Sequence, residues 1–197
     1  MFDFGRCTCE QRTMTSPGQK GRAALRIATR SLHERLHEAA PFRALAEERL
    51  DLPAYTELLS KQASCYFTAA EILPIEPERL RLLGEDLTAL AVQSPGLQTW
   101  PAPSGPAETL GWRYVVEGSI FGGRVISRQL AYLFADRCEG RSFFRGTPQG
   151  TAYWQALCEE IEQEARDPQG LSRMIEGALA AFTAFGRVLD ARKPAYV

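Results

Sequence analysis

Apolar positions recur at helical spacing almost wherever a pattern can be read in this chain. Over residues 22–40 the stripe is Leu25, Ala28, Leu32 and Leu36, and it ends near Pro41. A second stretch starts near Pro53, carries Tyr55, Leu58, Leu59, Gln62, Tyr66, Ala69 and Leu73, and stops at Pro74. A third opens at Glu76-Pro77, where a first-turn proline is favourable, and runs to about Val92. Residues 94–106 hold Pro95, Pro101, Pro103, Pro106 and two glycines, which reads as a connection over the surface pinned by Trp100. A long apolar helix is expected over 107–135, then a loop or short helix over 137–150 with Phe143-Phe144. Two helices over 150–166 and 168–191 finish the chain. In the last one Leu171, Ile175, Leu179, Phe182, Phe185 or Gly186, and Leu189 form the expected buried face. There is no strand alternation of useful length and no internal repeat. The expectation is an all-α fold of six to eight helices in one domain over residues 21–197, with residues 1–20 a disordered lead-in.

One stretch breaks the helical rules. Glu117-Gly118-Ser119-Ile120-Phe121-Gly122-Gly123 lies in the middle of the long apolar helix. Each glycine there costs about 1 kcal/mol against alanine, and a fold whose whole stability is about 5–15 kcal/mol accepts three only where bare backbone is needed. A bend against a large flat ligand is one such need. A helix contact through small residues, or two helices separated by a loop, would serve equally on spacing alone.

Composition narrows the classes. At 197 residues and 45% hydrophobic content the chain can bury a sizeable core, and no apolar run approaches the length of a membrane span. A net charge of −1 provides no general attraction to nucleic acid or to an anionic membrane surface. The basic residues are nearly all arginine, since only Lys20, Lys61 and Lys193 are lysines. Five cysteines without framework spacing read as unpaired thiols in a reducing compartment, and the first twenty residues lack a signal-peptide core. The expected location is cytoplasmic.

The chain's two histidines stand four apart in Leu32-His33-Glu34-Arg35-Leu36-His37. On a helical wheel His33 lies about 100° from Leu32, at the margin of the apolar stripe, and His37 about 140° away, further toward solvent. Arg26 falls about 20° from His33, two turns earlier. A ligand with a metal centre and a carboxylate rim about 10 Å away would meet both. The same five residues also read H-E-x-x-H, the pattern of zinc peptidases, with Glu57, about twenty residues downstream, on offer as a third ligand. Against that stand the brevity of the pattern, the lack of a second glutamate motif and the absence of strands to carry a substrate.

Three stretches together resemble the heme oxygenase family, in particular its bacterial branch associated with biliverdin-binding photoreceptors. Residues 25–36, Leu25-Arg26-Ile27-Ala28-Thr29-Arg30-Ser31-Leu32-His33-Glu34-Arg35-Leu36, resemble the proximal helix. Residues 114–125, from Tyr114 through Gly118, Ser119, Gly122 and Gly123 to Val125, resemble the kinked distal helix. Phe143-Phe144-Arg145-Gly146, with Gly150 and Trp154, resembles a later motif. The resemblance implies an all-α fold with heme between the two helices. It implies His33 as the axial ligand of the iron, Arg26 as partner of a propionate, and Gly118, Gly122 and Gly123 as bare backbone over the heme. Thr29, Tyr114 and Phe121 join the heme-contacting set as packing neighbours, and Gly118, Ser119 and Gly122 line the oxygen side. The implied reaction takes heme, dioxygen and electrons to biliverdin, iron and carbon monoxide, with heme both substrate and cofactor. Electrons would come from a separate ferredoxin or reductase, because no nucleotide fingerprint is present. A bacteriophytochrome is the implied consumer of the product. One departure stands out: many relatives carry aspartate directly after the first distal glycine, and here that position is Ser119. A hydroxyl can hold a water but cannot share its charge, which leaves a non-catalytic heme carrier or sensor as the alternative.

Overall fold

A computed structural model describes residues 20–134, 137 and 139–190. The expected lead-in, apart from Lys20, lies outside the described residues, as do Cys7, Cys9 and Cys138. Among the described residues there are nine helical segments and no strand: α1 (Lys20–Glu38), α2 (Ala40–Ala46), α3 (Leu52–Ile72), α4 (Pro77–Ala89), α5 (Pro106–Gln129), α6 (Ala131–Phe134), α7 (Ser142–Arg145), α8 (Pro148–Glu164) and α9 (Pro168–Asp190). The all-α expectation holds. No helix is long and apolar enough to cross a membrane among these residues.

Local chemistry sets most of the boundaries. The Asp51 carboxylate caps α3 by accepting from the Ala54 N–H at 2.8 Å, and Glu76 caps α4 by accepting from the Arg79 N–H at 2.9 Å. Pro77 and Pro148 sit in first turns, where a missing N–H leaves no helical bond unmade. The same rule explains an element absent from the expected set. Pro41 marks the end of α1, but it also opens α2, and a proline read only as a stop hides the helix that it starts.

The core forms where α5 crosses α9. Gly111 of α5 and Gly177 of α9 let the two backbones touch: a Cβ at Gly111 would collide with the Met174 carbonyl, and one at Gly177 with the Glu108 carbonyl. Small residues therefore decide which face of α9 is buried. The fully buried row is Gly170, Met174, Gly177, Ala178, Ala181, Phe185 and Leu189. Leu171, Ile175, Leu179 and Phe182, expected at the centre of that face, flank it instead and are only partly buried. On α3 the expected set Tyr55, Leu58, Leu59, Gln62, Tyr66, Ala69 and Leu73 is buried in full.

Two connections brace the helices around the core. The 91–105 segment is held to α3 by the Gln98 N–H donating to Thr68 Oγ1 and by Ser64 Oγ donating to the Gly96 carbonyl. Trp100 then packs between Trp112 and Phe185, with ring centroids 5.8 and 5.3 Å away. The segment before α7 is held by Asp86 of α4, whose carboxylate accepts from the Gly140 N–H at 2.9 Å and the Phe143 N–H at 2.8 Å. Gly140 has φ +90°, a conformation open to glycine and costly for most other residues.

Candidate functional site

Between α1, α3, α5, α7 and α9 lies a largely apolar cavity of about 300 Å³, within the range of ligand pockets. His33 and His37 of α1 form one side. Gly118, Ser119, Phe121, Gly122 and Gly123 of α5 form the other, and Tyr114, Trp154, Phe143, Phe144 and Phe182 fill the perimeter. The two regions singled out from sequence thus face one another across a slot.

The α1 side is anchored at one end and open at the other. Glu162 of α8 accepts from the Gly21 and Arg22 N–H groups at 2.8 and 3.1 Å, capping α1 from another helix, and Gly21 packs directly on Ala165. Leu25 and Thr29 are buried, whereas the last two turns, with His33 and His37, are exposed. The His33 and His37 rings meet edge to face at 4.5 Å, and His33 lies 6.1 Å from Phe182. Burial first, and the neighbouring His37 second, hold the His33 imidazole below its ordinary pKa, with Glu34 acting the other way. A neutral imidazole is the form that ligates iron. Both histidines line the cavity, although the helical wheel puts His37 further toward solvent.

The α5 side runs as unbroken helix through all its glycines, so a loop between two helices is not what they provide. Each meets a different surface. A Cβ on Gly118 would lie 3.1 Å from the Trp154 ring, and one on Gly123 would lie 2.9 Å from the Phe144 carbonyl. One on Gly122 would meet nothing within 4 Å and would stand in the open slot. Gly123 is therefore set for α7 packing as much as for a ligand. Gly122 is the one whose bareness keeps space open.

Other expected residues sit at the margin. Thr29 is buried, donates its hydroxyl to the Leu25 carbonyl at 2.8 Å and is outside the cavity lining. Arg26 is exposed and also outside the lining. Both act on the Tyr114 phenol, whose pKa burial raises and whose rise Arg26 and Thr29 oppose. Tyr114 and Phe121 pack on Trp154 with ring centroids 5.8 and 5.7 Å away, and Phe121 stays 44% exposed. Arg113, next to Tyr114 on α5, pairs with Glu160 at 2.8 Å.

Sequence reading misses the polar inner end. Arg79 of α4, only 4% exposed, reaches under α5. Its Nη1 donates to the Val116 carbonyl at 2.8 Å, and its Nη2 to Tyr66 Oη at 2.8 Å and Ser119 Oγ at 2.5 Å. The guanidinium stacks between the Tyr66 and Phe143 rings, at 4.6 and 5.1 Å. Glu117 is its counter-charge at 3.7 Å and accepts the Glu76 N–H at 3.1 Å. Burial raises the Glu117 pKa, with Arg79 opposing. The available signal is weak: an arginine three residues past a helix-opening Glu-Pro reads as surface.

The zinc reading finds no third ligand. Glu57 pairs with Lys61 at 3.2 Å, and no three His, Cys, Asp or Glu side chains converge among the described residues.

Comparison with known proteins bears on the family and the fold. No family model matches the chain. The heme oxygenase of Xanthomonas campestris pv. campestris (strain 8004) is 32% identical over 119 residues, covering 60% of this chain and 67% of the relative. The NO- and CO-bound heme oxygenase of Neisseria meningitidis has a similar fold, with a TM-score of 0.66 at 19% identity over 90% of this chain and 98% of that one. With a slot between the His33 helix and the glycine-bearing α5, and with that degree of relationship, the chain belongs to the heme oxygenase family.

Proposed function

We propose that this protein is a heme oxygenase that opens heme to biliverdin and releases iron and carbon monoxide, with His33 as the residue that would ligate the iron. The observation that carries the reading is that His33 and Gly118, Gly122 and Gly123, from helices far apart in sequence, line one slot. The residues suit the group. The slot walls are mostly aromatic and aliphatic, an imidazole stands on one side, and at Gly122 a single Cβ would project into the space a flat ring needs.

When bound, heme supplies the iron that activates dioxygen and the ring that is opened. The protein's part is positional. His33, kept neutral by its surroundings, would ligate the iron from the α1 side. Bare backbone at Gly122 would leave room on the α5 side, where Gly118 lines the slot beside Trp154, and Phe143, Phe144 and Phe182 would exclude water from the perimeter. Arg26, exposed two turns before His33 and close to Tyr114, is placed to meet a propionate at the rim. Electrons come from a separate ferredoxin or reductase, and the product suits a biliverdin-binding phytochrome.

Hemin titration tests the reading. A histidine-ligated Soret band is expected, and reductant with dioxygen should then give a biliverdin spectrum. Failure to take up hemin rejects it. Stable heme with no ring opening would favour a carrier or sensor on the same fold, the reading that Ser119 in place of an acidic residue supports.

A further inference from the structure

Both histidines of the chain stand on one wall of the slot, although an iron with an open face needs only one of them. The function proposed above leaves His37 without a task. Residues four apart share a helix face, and the His33 and His37 ring centres are 4.5 Å apart with their planes at 65°. Neither ring has a hydrogen bond or an ion pair among the described residues, so the nitrogens of both are uncommitted. Phe182 backs His33 at 6.1 Å and Phe42 backs His37 at 6.5 Å. The turns that carry the two rings are exposed, so an ion can reach them from solvent.

Metal chemistry gives that spacing a meaning. An imidazole nitrogen binds zinc at about 2.0–2.1 Å, and the ring centre lies about 1.1 Å further on, so two imidazoles on one ion have centres about 4.5–5.2 Å apart for bond angles of about 90–109°. The observed separation falls at the near end of that range. Turning each ring about its broad terminal torsion aims the nitrogens and hardly moves the centres. The last turns of α1 balance Glu34 and Glu38 against Arg30 and Arg35, so no net charge there repels a cation. The surroundings also favour a neutral His33, the form that a metal takes. Two protein donors are too few for a structural or a hydrolytic zinc centre, in keeping with the missing third ligand. They suffice for an exchangeable ion whose remaining positions are filled by water.

We propose that, when the slot holds no heme, His33 and His37 together bind one divalent transition ion of the class that prefers imidazole, zinc being the example. The ion and the heme iron both need His33, so each excludes the other and heme uptake becomes sensitive to the free ion. The exclusion rests on heme being the slot's occupant, whereas the chelate itself does not.

Zinc chloride is the probe, titrated by calorimetry into the heme-free full chain. Every protein carries Cys7→Ser, Cys9→Ser and Cys138→Ser so that these thiols take none of the ion, while Cys65 and Cys158 are buried. One equivalent should bind. His33→Ala and His37→Ala should each weaken it at least about tenfold, because even the loss of an outer-shell partner costs about 10–100-fold in metal affinity. Magnesium, which prefers oxygen ligands, should not bind. With zinc at about ten times its measured dissociation constant, hemin affinity followed at the Soret band should fall about tenfold. In His37→Ala, whatever its own hemin affinity, the same zinc should lower it by no more than about twofold. No zinc uptake by the parent protein, or equal uptake by it and His37→Ala, would overturn the inference. Hemin affinity unmoved by bound zinc would overturn the exclusion. A parent protein that takes up no hemin even without zinc would overturn the functional reading, and the zinc titration would then decide the chelate by itself.

Discussion

The two sides of the slot are built by opposite means. The α1 side is fixed at a distance, through Glu162 on the first turn of the helix, and presents His33 and His37 on turns that are open to solvent. The inner side is fixed in place: Arg79, Tyr66, Ser119 and Glu117 satisfy one another within the core. Ligand chemistry on the first side is nearly free of folding energetics. On the second the two are inseparable, since each polar group is buried only because its partner is. Changes on the open side should cost function without stability, and changes on the closed side should cost stability first.

Arg79→Ala gives the largest expected effect. It strands the Glu117 carboxylate and leaves the Tyr66 and Ser119 hydroxyls short of a donor, and breaking a buried charge pair from one side costs about 3–5 kcal/mol. Urea unfolding of the heme-free protein measures it. A loss under about 1 kcal/mol, typical of exposed ion pairs, would show that the inner side is not the rigid element described. His33→Ala should do the reverse. Biliverdin formation should fall at least about a hundredfold, near 2.7 kcal/mol in barrier, while heme-free stability stays within about 0.5 kcal/mol, as for other exposed sites. His37→Ala should be mild in both assays. Equal losses in the two histidine variants would return attention to a metal shared between them.

The same contrast explains what can be read from the sequence. Helices α3, α4, α8 and α9 are visible because each carries its own apolar stripe and its own N-cap, which are local properties, and α1 is visible by its stripe alone, since its first turn is capped from α8. His33 and the distal glycines are visible because each lies in a short motif on one helix. Arg79 cannot be found that way. Its meaning comes from Tyr66 on α3 and Ser119 on α5, and no local pattern brings those three residues together. Gln62 is legible as inward-facing because it falls in the apolar row of α3. The offset on α9 has a similar origin. Hydrophobicity points to leucines, but close approach of α5 favours Gly177 and Ala178.

The glycines of α5 offer a finer division. Gly123→Ala would press a methyl onto the Phe144 carbonyl, 2.9 Å away, and should destabilise the heme-free protein by about 1–3 kcal/mol. Gly122→Ala meets nothing and should stabilise the same protein by about 0.5–1 kcal/mol through helix propensity. If Gly122 is bare for the ligand's sake, that variant should also bind hemin more weakly than wild type. A more stable protein with undiminished hemin affinity would reduce Gly122 to an accident of the helix.

Acid sensitivity should give the smallest signal, and its sign separates the two sides once more. His33 has a folded pKa below its unfolded one, so its neutral form is favoured by folding. Heme-free stability from this group is complete above the unfolded value and drains away as pH falls through that value toward the folded one. Asp86 and Glu117 run the other way. Burial is the first cause for each and lifts the folded pKa, against the backbone N–H groups around Asp86 and against Arg79 beside Glu117. Their contribution is present below the unfolded carboxylate range and is lost as pH rises through the folded values, so acidification restores it. A decline between pH 7.5 and 5.5 is the one expected from His33, whose imidazole folding holds below its ordinary pKa. Urea midpoints at those two pH values should fall on acidification in the wild type and fall less in His33→Ala, with the carboxylates of the inner side left to oppose what remains. An equal decline in both proteins would mean that His33 is as solvated as in the unfolded chain, and the open side would then lack even the partial enclosure that keeps its imidazole neutral.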